Sequence, residues 1–555
     1  MAELGRIPDS DLRRMLSELL SAELSRRHFM VAGGLGLAAV LVGCQTTSPT
    51  GTPSAVPKVS RYPNINLGLP DLGTQTPDPM FAYSHGAMRT PIFTSLGEPL
   101  VRRDLRGAHV NALASSYETS ADGLTWTFTL RSGVKMHDGS TFTAQDVQTS
   151  INRVTAFPGD FVLNEPVVQA IKKVEIIDDL HIAITTTAPY VTMLDDLPVP
   201  IPTGYYHQVG DAQFRLHPMA AGPYKFGSQQ LNVNMIFDRF DGFWDPTRIP
   251  NFKTLTLILL PEESSRLAGL QSGSLDAIAS ISPSGRQQLQ GAQGVRVITN
   301  HDVTLVWMIF AALNPDSPTP AKLASPVHDQ RVREAMLYGM DRQGMINAIF
   351  NGAATLDDDF AVGGTLGHNP ANKPYPFDAA KAKQLLKDAG HSSFNFTLVS
   401  KNADDTIGNI QDLGQAIASN WNDIGINTTY QPMDPALQGE LQDSHVFPGA
   451  FLFGLEGLQL YDPGYLANQF FLKTSGNVTA DDPKLNDYAV ALSTTYDPAK
   501  RAAVAREYDD YLYATQPAFG LFTLDAFYAV GPHVSEWNLQ DGNGQAGPFW
   551  ELRGS

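Results

Sequence analysis

The 555-residue chain has one thiol, and its neighbours make it a candidate for chemistry. Cys44 follows the apolar run Val31–Gly43, which is preceded by the pair Arg26-Arg27. That run falls short of the roughly 20 residues needed to span a hydrocarbon core, so it reads as the apolar region of a signal peptide. A lone cysteine cannot form a disulfide within the chain. Other reactive patterns are missing. The 13 histidines are scattered without metal-ligand spacing, so no metal site is expected, and no Gly-x-Ser-x-Gly elbow or His-Glu-x-x-His helix is written. The sequence has no Gly-x-x-x-x-Gly-Lys-Ser/Thr loop either, so nucleotide hydrolysis has no seat here. Binding without catalysis, and without a cofactor, is the expectation.

Ser25-Arg26-Arg27-His28-Phe29-Met30 resembles a twin-arginine export signal, and Leu41-Val42-Gly43-Cys44 resembles the lipobox of bacterial lipoproteins. In a lipobox the thiol takes a diacylglyceryl group and the cysteine becomes the new N-terminus. The resemblance implies that residues 1–43 are a signal peptide, although Met1–Ser25 carries Asp and Glu beside its arginines. Residues 44–57 shift to Thr, Ser, Pro and Gly and read as a flexible tether. An acylated end on a loose leash would hold the body in water beside a membrane, in the periplasm or on the outer face of the cytoplasmic membrane. Twin-arginine export implies that the chain folds before it crosses.

The charge narrows the partners. Lys and Arg total 39 against 57 Asp and Glu, and residues 1–43 hold five of each sign, so the net charge of -18 survives their removal. Such a chain, with no run of cations, is a poor match for a phosphate backbone, and nucleic-acid binding is excluded. Its length suggests two to four domains with ample core.

The elements that must position any site are legible. Leu124-Thr-Trp-Thr-Phe-Thr-Leu130 alternates apolar and polar residues as a half-buried antiparallel strand does, after the turn pair Asp122-Gly123. Thr143-Ala-Gln-Asp146 is a capping box opening a helix that carries Val147, Ile151 and Val154. Asp378 caps a helix ending at Gly390, Leu413/Ile417/Trp421/Ile424 mark another that stops before Gly425, and Asp497-Pro498 starts a third. Further strand-like runs occur at 174–177, 182–187 and 255–260. Strands mixed with single helices imply an α/β fold.

The order of these pieces resembles the extracellular solute-binding proteins of ABC importers, family 5, the oligopeptide/dipeptide-binding type. The resemblance rests on Leu113–Tyr117, Ser120–Val134, His137-Asp-Gly139, Phe142–Val147, Gly222-Pro-Tyr-Lys-Phe226, Arg266–Leu270 with Gly273 and Asp276, Asn314-Pro315, Asp329–Met336, Met340-Asp-Arg342 and Ala380–Gly390. It implies a two-lobed periplasmic-binding-protein clamshell with a hinge and an additional domain inserted in the first lobe. Carried onto this chain, lobe I would be 58–96, 220–311 and 523–555, the inserted domain 97–219, and lobe II 312–522. Taken singly, the motifs are structural: turns, helix caps and, for Arg331, Arg333 and Asp341, an internal ion-pair set.

The resemblance also nominates ligand-binding residues. Peptide-binding relatives place an aspartate for the peptide amino group in a Gly-Trp-x-x-Asp segment shortly before Asp/Glu-Pro. Here the stretch is Phe453-Gly-Leu-Glu-Gly-Leu-Gln-Leu-Tyr-Asp-Pro463, which puts Gln459 or Leu458 at the anchor. A charged amine taken from water needs a paired anion, so an ordinary free-amine peptide is disfavoured unless Glu456 supplies the charge. Tyr461 and Asp462 flank the same segment. A second pocket strand is expected over Asp78–Gly86, offering Tyr83, Ser84 and His85, and Trp307 is the aromatic platform expected near the hinge. Rings with neutral partners suit a peptide-like or sugar-like solute.

The resemblance implies a monomer that delivers this small-molecule ligand to a membrane permease served by a separate ATPase. Two other classes share some of these features: an exported hydrolase with a dispersed active site, and a sensory lipoprotein that presents its ligand to a receptor. A carrier of metal complexes would have only His85 and scattered partners for support.

Overall fold

The computed structural model describes residues 62–555 apart from 85–88, 162–163, 314–324, 364, 403–406, 435–436, 438–448, 457–461, 474–479, 481 and 540–547. The export and lipidation residues Arg26, Arg27 and Cys44 and the tether lie outside the described residues. Among the described residues no helix is long and apolar enough to cross a membrane.

The main element among them is an 11-stranded sheet. Its path of ten strands runs from Ile426–Met433 through Phe394–Lys401, Ala450–Glu456, Arg296–Phe310, Ala518–Val530, Ala277–Ile281, Asn64–Leu69, Thr254–Leu259 and Asn234–Arg239 to Tyr224–Gln230, and the eleventh, Ala354–Thr355, pairs with Ala518–Val530 off this path. Each half contains a parallel set: Asn64–Leu69 with its two neighbours, and Phe394–Lys401 with its two. The two longest strands, Arg296–Phe310 and Ala518–Val530, are antiparallel and belong to both halves. A separate four-stranded antiparallel sheet is built from Ala114–Thr119, Thr125–Leu130, His181–Thr186 and Ile171–Asp178.

Local sequence explains these elements. Strand Thr125–Leu130 buries Trp126, Phe128 and Leu130 and turns its threonines outward. The Thr143 N–H donates to Asp146 Oδ2 at 2.8 Å at the start of helix Ala144–Ala156, whose Val147, Ile151 and Val154 pack on that sheet's core. Asp378 and Asp497 accept from Lys381 N and Lys500 N, capping helices Ala379–Asp388 and Pro498–Thr515. Helix Ile410–Asp423 is followed by Gly425 at φ 106°, a conformation that favours glycine.

Strand Arg296–Phe310 is sandwiched in its second half. Val306, Met308 and Phe310 enter a core with Leu398, Leu452 and Trp421, while Leu305, Trp307 and Ile309 enter another with Phe451, Phe453 and Tyr508. The first half of the sheet has its own core, with Ile65, Leu67, Phe237, Leu255 and Tyr528.

The expected ion-pair set of Arg331, Arg333 and Asp341 does not form. Exposed Arg331 pairs with half-buried Asp329, whereas buried Arg333 donates to the carbonyls of Thr515 (2.6 Å), Gln516 (2.7 Å) and Val327 (2.7 Å). Asp341 caps helix Arg342–Ile349 by accepting from Gly344 N. A guanidinium has five donors in a fixed fork, and the carbonyls at the end of helix Pro498–Thr515 together with those of Val327 and His328 receive them without a counter-ion.

Candidate functional site

The two shared strands lose their register between Asn300 and Thr304. Asp302, inside this break, has φ 55°. A bulge with a non-glycine residue in the left-handed region bends a strand and costs of order 1 kcal/mol, so surrounding contacts must hold it. They are present: the Asp302 N–H approaches Asp525 Oδ1 at 3.4 Å, His301 Nδ1 lies 3.1 Å from the same oxygen, and the Thr523 hydroxyl donates to Asp302 Oδ1.

Beside this break lies a cavity of about 290 Å³ whose walls come from both halves of the sheet. Glu263 and Ser280–Pro283 contribute from one half, Phe350, Ala353, Gly408 and Asn409 from the other, and Val303, Thr304 and Leu524–Phe527 from the shared strands. Ser280 is a second non-glycine residue at positive φ, 54°, next to a register shift in its own strand. Glu263 accepts from Ser282 N (2.6 Å) and Ser282 Oγ (2.9 Å), which orients its carboxylate. The described wall carries the carboxylates of Glu263 and Asp525 and no Lys, Arg or His, so it matches donor-rich groups of a small molecule.

The nominated residues fare unevenly. Trp307 is fully buried, with Phe453 stacked at 5.7 Å and Phe360 and Phe470 edge-on at 5.3 and 4.8 Å. The expected platform is therefore core packing, because its strand is covered on both faces. Asp462 caps helix Pro463–Phe470 through Gly464 N and forms a forked pair with Arg501 at 2.7 and 2.8 Å, so its carboxylate is already satisfied. The expected pocket strand at Asp78–Gly86 is a helix, Pro79–Ser84, because Asp78 accepts from Met80 N as an N-cap and Pro79 fits the first helical position. Tyr83 and Ser84 form its last turn; His85 lies outside the described residues, as do Gln459 and Tyr461. Glu456 ends strand Ala450–Glu456 opposite Thr304, a residue of the cavity wall.

Sequence reasoning missed the side chains that join the four-stranded sheet to the rest. His137, almost fully buried, donates from Nε2 to the Gly222 carbonyl (2.9 Å) and accepts from Ala220 N at Nδ1 (3.2 Å), with Phe240 edge-on to its ring. That pattern requires a neutral ring, and burial holds its pKa down at about 4. Arg153, with no exposed surface, bridges Asp78 and Asp211 and lies against the rings of Phe161 and Phe214.

Two further contacts reach the second half of the main sheet. The Tyr465 hydroxyl donates to Asp196 Oδ1 at 2.7 Å, and the Tyr496 hydroxyl to the Gly123 carbonyl at 3.0 Å. Burial lifts Asp196 to about 7. Its neighbour Asp195 is also buried, but Arg103 and His109 outweigh that burial and hold it at about 2.

A four-strand insertion, two half-sheets joined by two long strands, and a cavity at the break define a two-lobed binding-protein architecture. The sequence profile of the bacterial extracellular solute-binding proteins, family 5, matches residues 109–477, and the chain belongs to that family. A glutathione-binding protein, GsiB, from Pectobacterium atrosepticum is 27% identical over 298 residues, covering 52% of this chain and 54% of that protein. The chain thus spans about half the length of this curated relative. Among solved structures, the binding protein AgaA with agropinic acid from A. tumefaciens R10 is 24% identical with a TM-score of 0.70, covering 89% of this chain and 99% of that one. NikA from Brucella suis with Fe(III)-EDTA is 21% identical with a TM-score of 0.74, covering 89% and 100%. The fold is the two-lobed α/β fold of this family.

Proposed function

We propose that this protein is the solute-capturing subunit of an ABC import system. It closes two lobes around a small molecule, leaves it chemically unchanged, and offers the closed form to a membrane permease with its own ATPase. The observation that carries the reading is the cavity bounded by both halves of the sheet and by the strained break in the strands that join them. Tyr465–Asp196 and Tyr496–Gly123 supply closing contacts, since each links the second lobe to the inserted domain. The lobes follow the division 58–96, 220–311 and 523–555 against 312–522, with 97–219 inserted, except that residues 304–310 pair and pack with the second lobe, which moves the joint to the break near Asp302 and Asp525.

The cargo in this reading is peptide-like or sugar-like. The similarity to a glutathione-binding protein favours the peptide-like side, while Gln459 at the amine-anchor position argues against general free-amine peptides. Tyr83, Ser84, His85, Glu456 and Tyr461 are its remaining candidate contacts. The protein works as a monomer, lipidated at Cys44 and held on the periplasmic side after export through the Arg26-Arg27 signal.

Mass spectrometry of small molecules released from protein purified from its native host tests the cargo, followed by calorimetric titration with the released compound, glutathione and a mixed dipeptide library. One compound, recovered unchanged and bound at one site per chain, is expected. Turnover of the compound would replace the reading with a hydrolase, and tight binding of the whole dipeptide library would overturn the argument from Gln459. A Cys44→Ser chain released from membranes into the soluble fraction is the expected sign of the anchor; retention would remove it.

A further inference from the structure

The loop that leads into helix Ala379–Asp388 contains three consecutive aspartates, Asp357, Asp358 and Asp359, and then His368. Asp358 has its own cation: it forms a buried pair with Arg342 and also accepts from Tyr375 N. Asp357 and Asp359 have no such arginine among the described residues. Instead, ligand atoms of Asp357, Asp359 and His368 all lie within 4.8 Å of one another. His368 Nδ1 is 3.2 Å from Asp359 Oδ2 and 2.9 Å from the Ala361 carbonyl, which fixes the ring against the loop.

A second element closes the cluster. Asp509, on helix Pro498–Thr515, accepts from Phe360 N and Ala361 N through Oδ1 at 3.0 Å each, which clamps its carboxylate onto the two residues after Asp359. Its other oxygen, Oδ2, has no donor, and neither has Asp359 Oδ1. Both residues are about 1% exposed, so bulk water does not reach these oxygens. An unsatisfied buried oxygen costs about 1–3 kcal/mol, more when charged, and three neighbouring carboxylates repel one another as well. A cation would remove both penalties at once.

We infer that Asp357, Asp359 and His368, with Asp509 clamped beside them, form a binding site for a divalent first-row transition ion. One imidazole with several carboxylates suits borderline Zn²⁺, or the harder Mn²⁺ that tolerates a mixed nitrogen and oxygen set, whereas an all-oxygen set would point to Ca²⁺ or Mg²⁺. The bound ion would pin the loop to the long helix of the second lobe, through residues that do not line the cavity assigned to the solute.

The test uses untagged, chelator-stripped protein beginning at residue 45, titrated calorimetrically at about pH 7.5 with ZnCl₂ and, separately, MnCl₂ and CaCl₂. Wild type should bind one Zn²⁺ or Mn²⁺ per chain and melt at a higher temperature when loaded. His368→Ala and Asp357→Asn, both at partly exposed positions and so compatible with folding, should weaken binding by about 10–100-fold and abolish the thermal gain. Asp509→Asn should do the same, with circular dichroism checking its fold. Three outcomes would overturn the assignment: no binding by folded wild type, Zn²⁺ or Mn²⁺ binding retained in both His368→Ala and Asp357→Asn, or Ca²⁺ binding that His368→Ala leaves intact.

Discussion

His137 gives the inserted domain a measurable sensitivity to acid. The ring sits between Gly222 O and Ala220 N and works only when neutral, and its folded pKa is about 4 against an ordinary 6.5. Because the folded value lies below the unfolded one, the stability it contributes is complete above pH 6.5 and is lost as pH falls toward 4. Each pH unit of that displacement is worth about 1.4 kcal/mol, so the loss reaches about 3 kcal/mol at pH 4 and about 2 kcal/mol at pH 5. Asp196 and Asp509 slope the opposite way: their folded values are raised, so their contribution is present at low pH and lost as pH rises through about 7 and 8. The total pH profile therefore mixes signs, and a variant must isolate the histidine. His137→Gln keeps an N–H for Gly222 but does not titrate. Urea unfolding followed by tryptophan fluorescence, run on both proteins from pH 7.5 to 4, gives the difference in unfolding free energy directly. That difference should move against wild type by about 3 kcal/mol across the range. A difference that stays constant with pH would refute the neutral, buried histidine.

Two other perturbations separate core from crevice. Trp307→Ala should cost about 3–5 kcal/mol of stability in the same urea assay, as expected for an enclosed aromatic side chain; an unchanged midpoint with lost solute binding would return Trp307 to the ligand surface. Tyr465→Phe removes one hydrogen bond to Asp196, about 1 kcal/mol, and should increase the radius of gyration of solute-free protein in small-angle scattering by populating an open form; identical curves would remove Tyr465 from closure.

Much of the scaffold could be read from short-range rules. The alternation at Thr125–Leu130 and the Asp caps at 378 and 497 depend on neighbours a few residues away, and the structure realises them. The α/β clamshell came from the order of motifs along the chain. The side-chain roles were harder. Trp307 carried a warning, since Leu305–Phe310 is apolar without interruption, the pattern of a strand covered on both faces. Asp78-Pro79 likewise had the composition of a helix start. By contrast, the cavity joins residues near 263, 281, 304, 350, 409 and 525, and Asp509 meets the backbone of Phe360 and Ala361 across about 150 positions; no local pattern encodes such meetings. His137 and Gly222 were visible as motifs, but their mutual hydrogen bond spans 85 positions.

The way the two lobes are joined limits how they can move. Both connecting strands are laddered to neighbours on either side of the break, so neither can swing as a free linker without tearing main-chain bonds. In the proposed closure, rotation falls on the few residues around Asp302 and Asp525, where pairing is already interrupted. That makes the joint a torsion bar with a short working length, favouring one direction of opening over many. A solute entering such a jaw meets walls that always return to the same alignment, so selectivity can rest on shape without each guest having to organise the trap afresh.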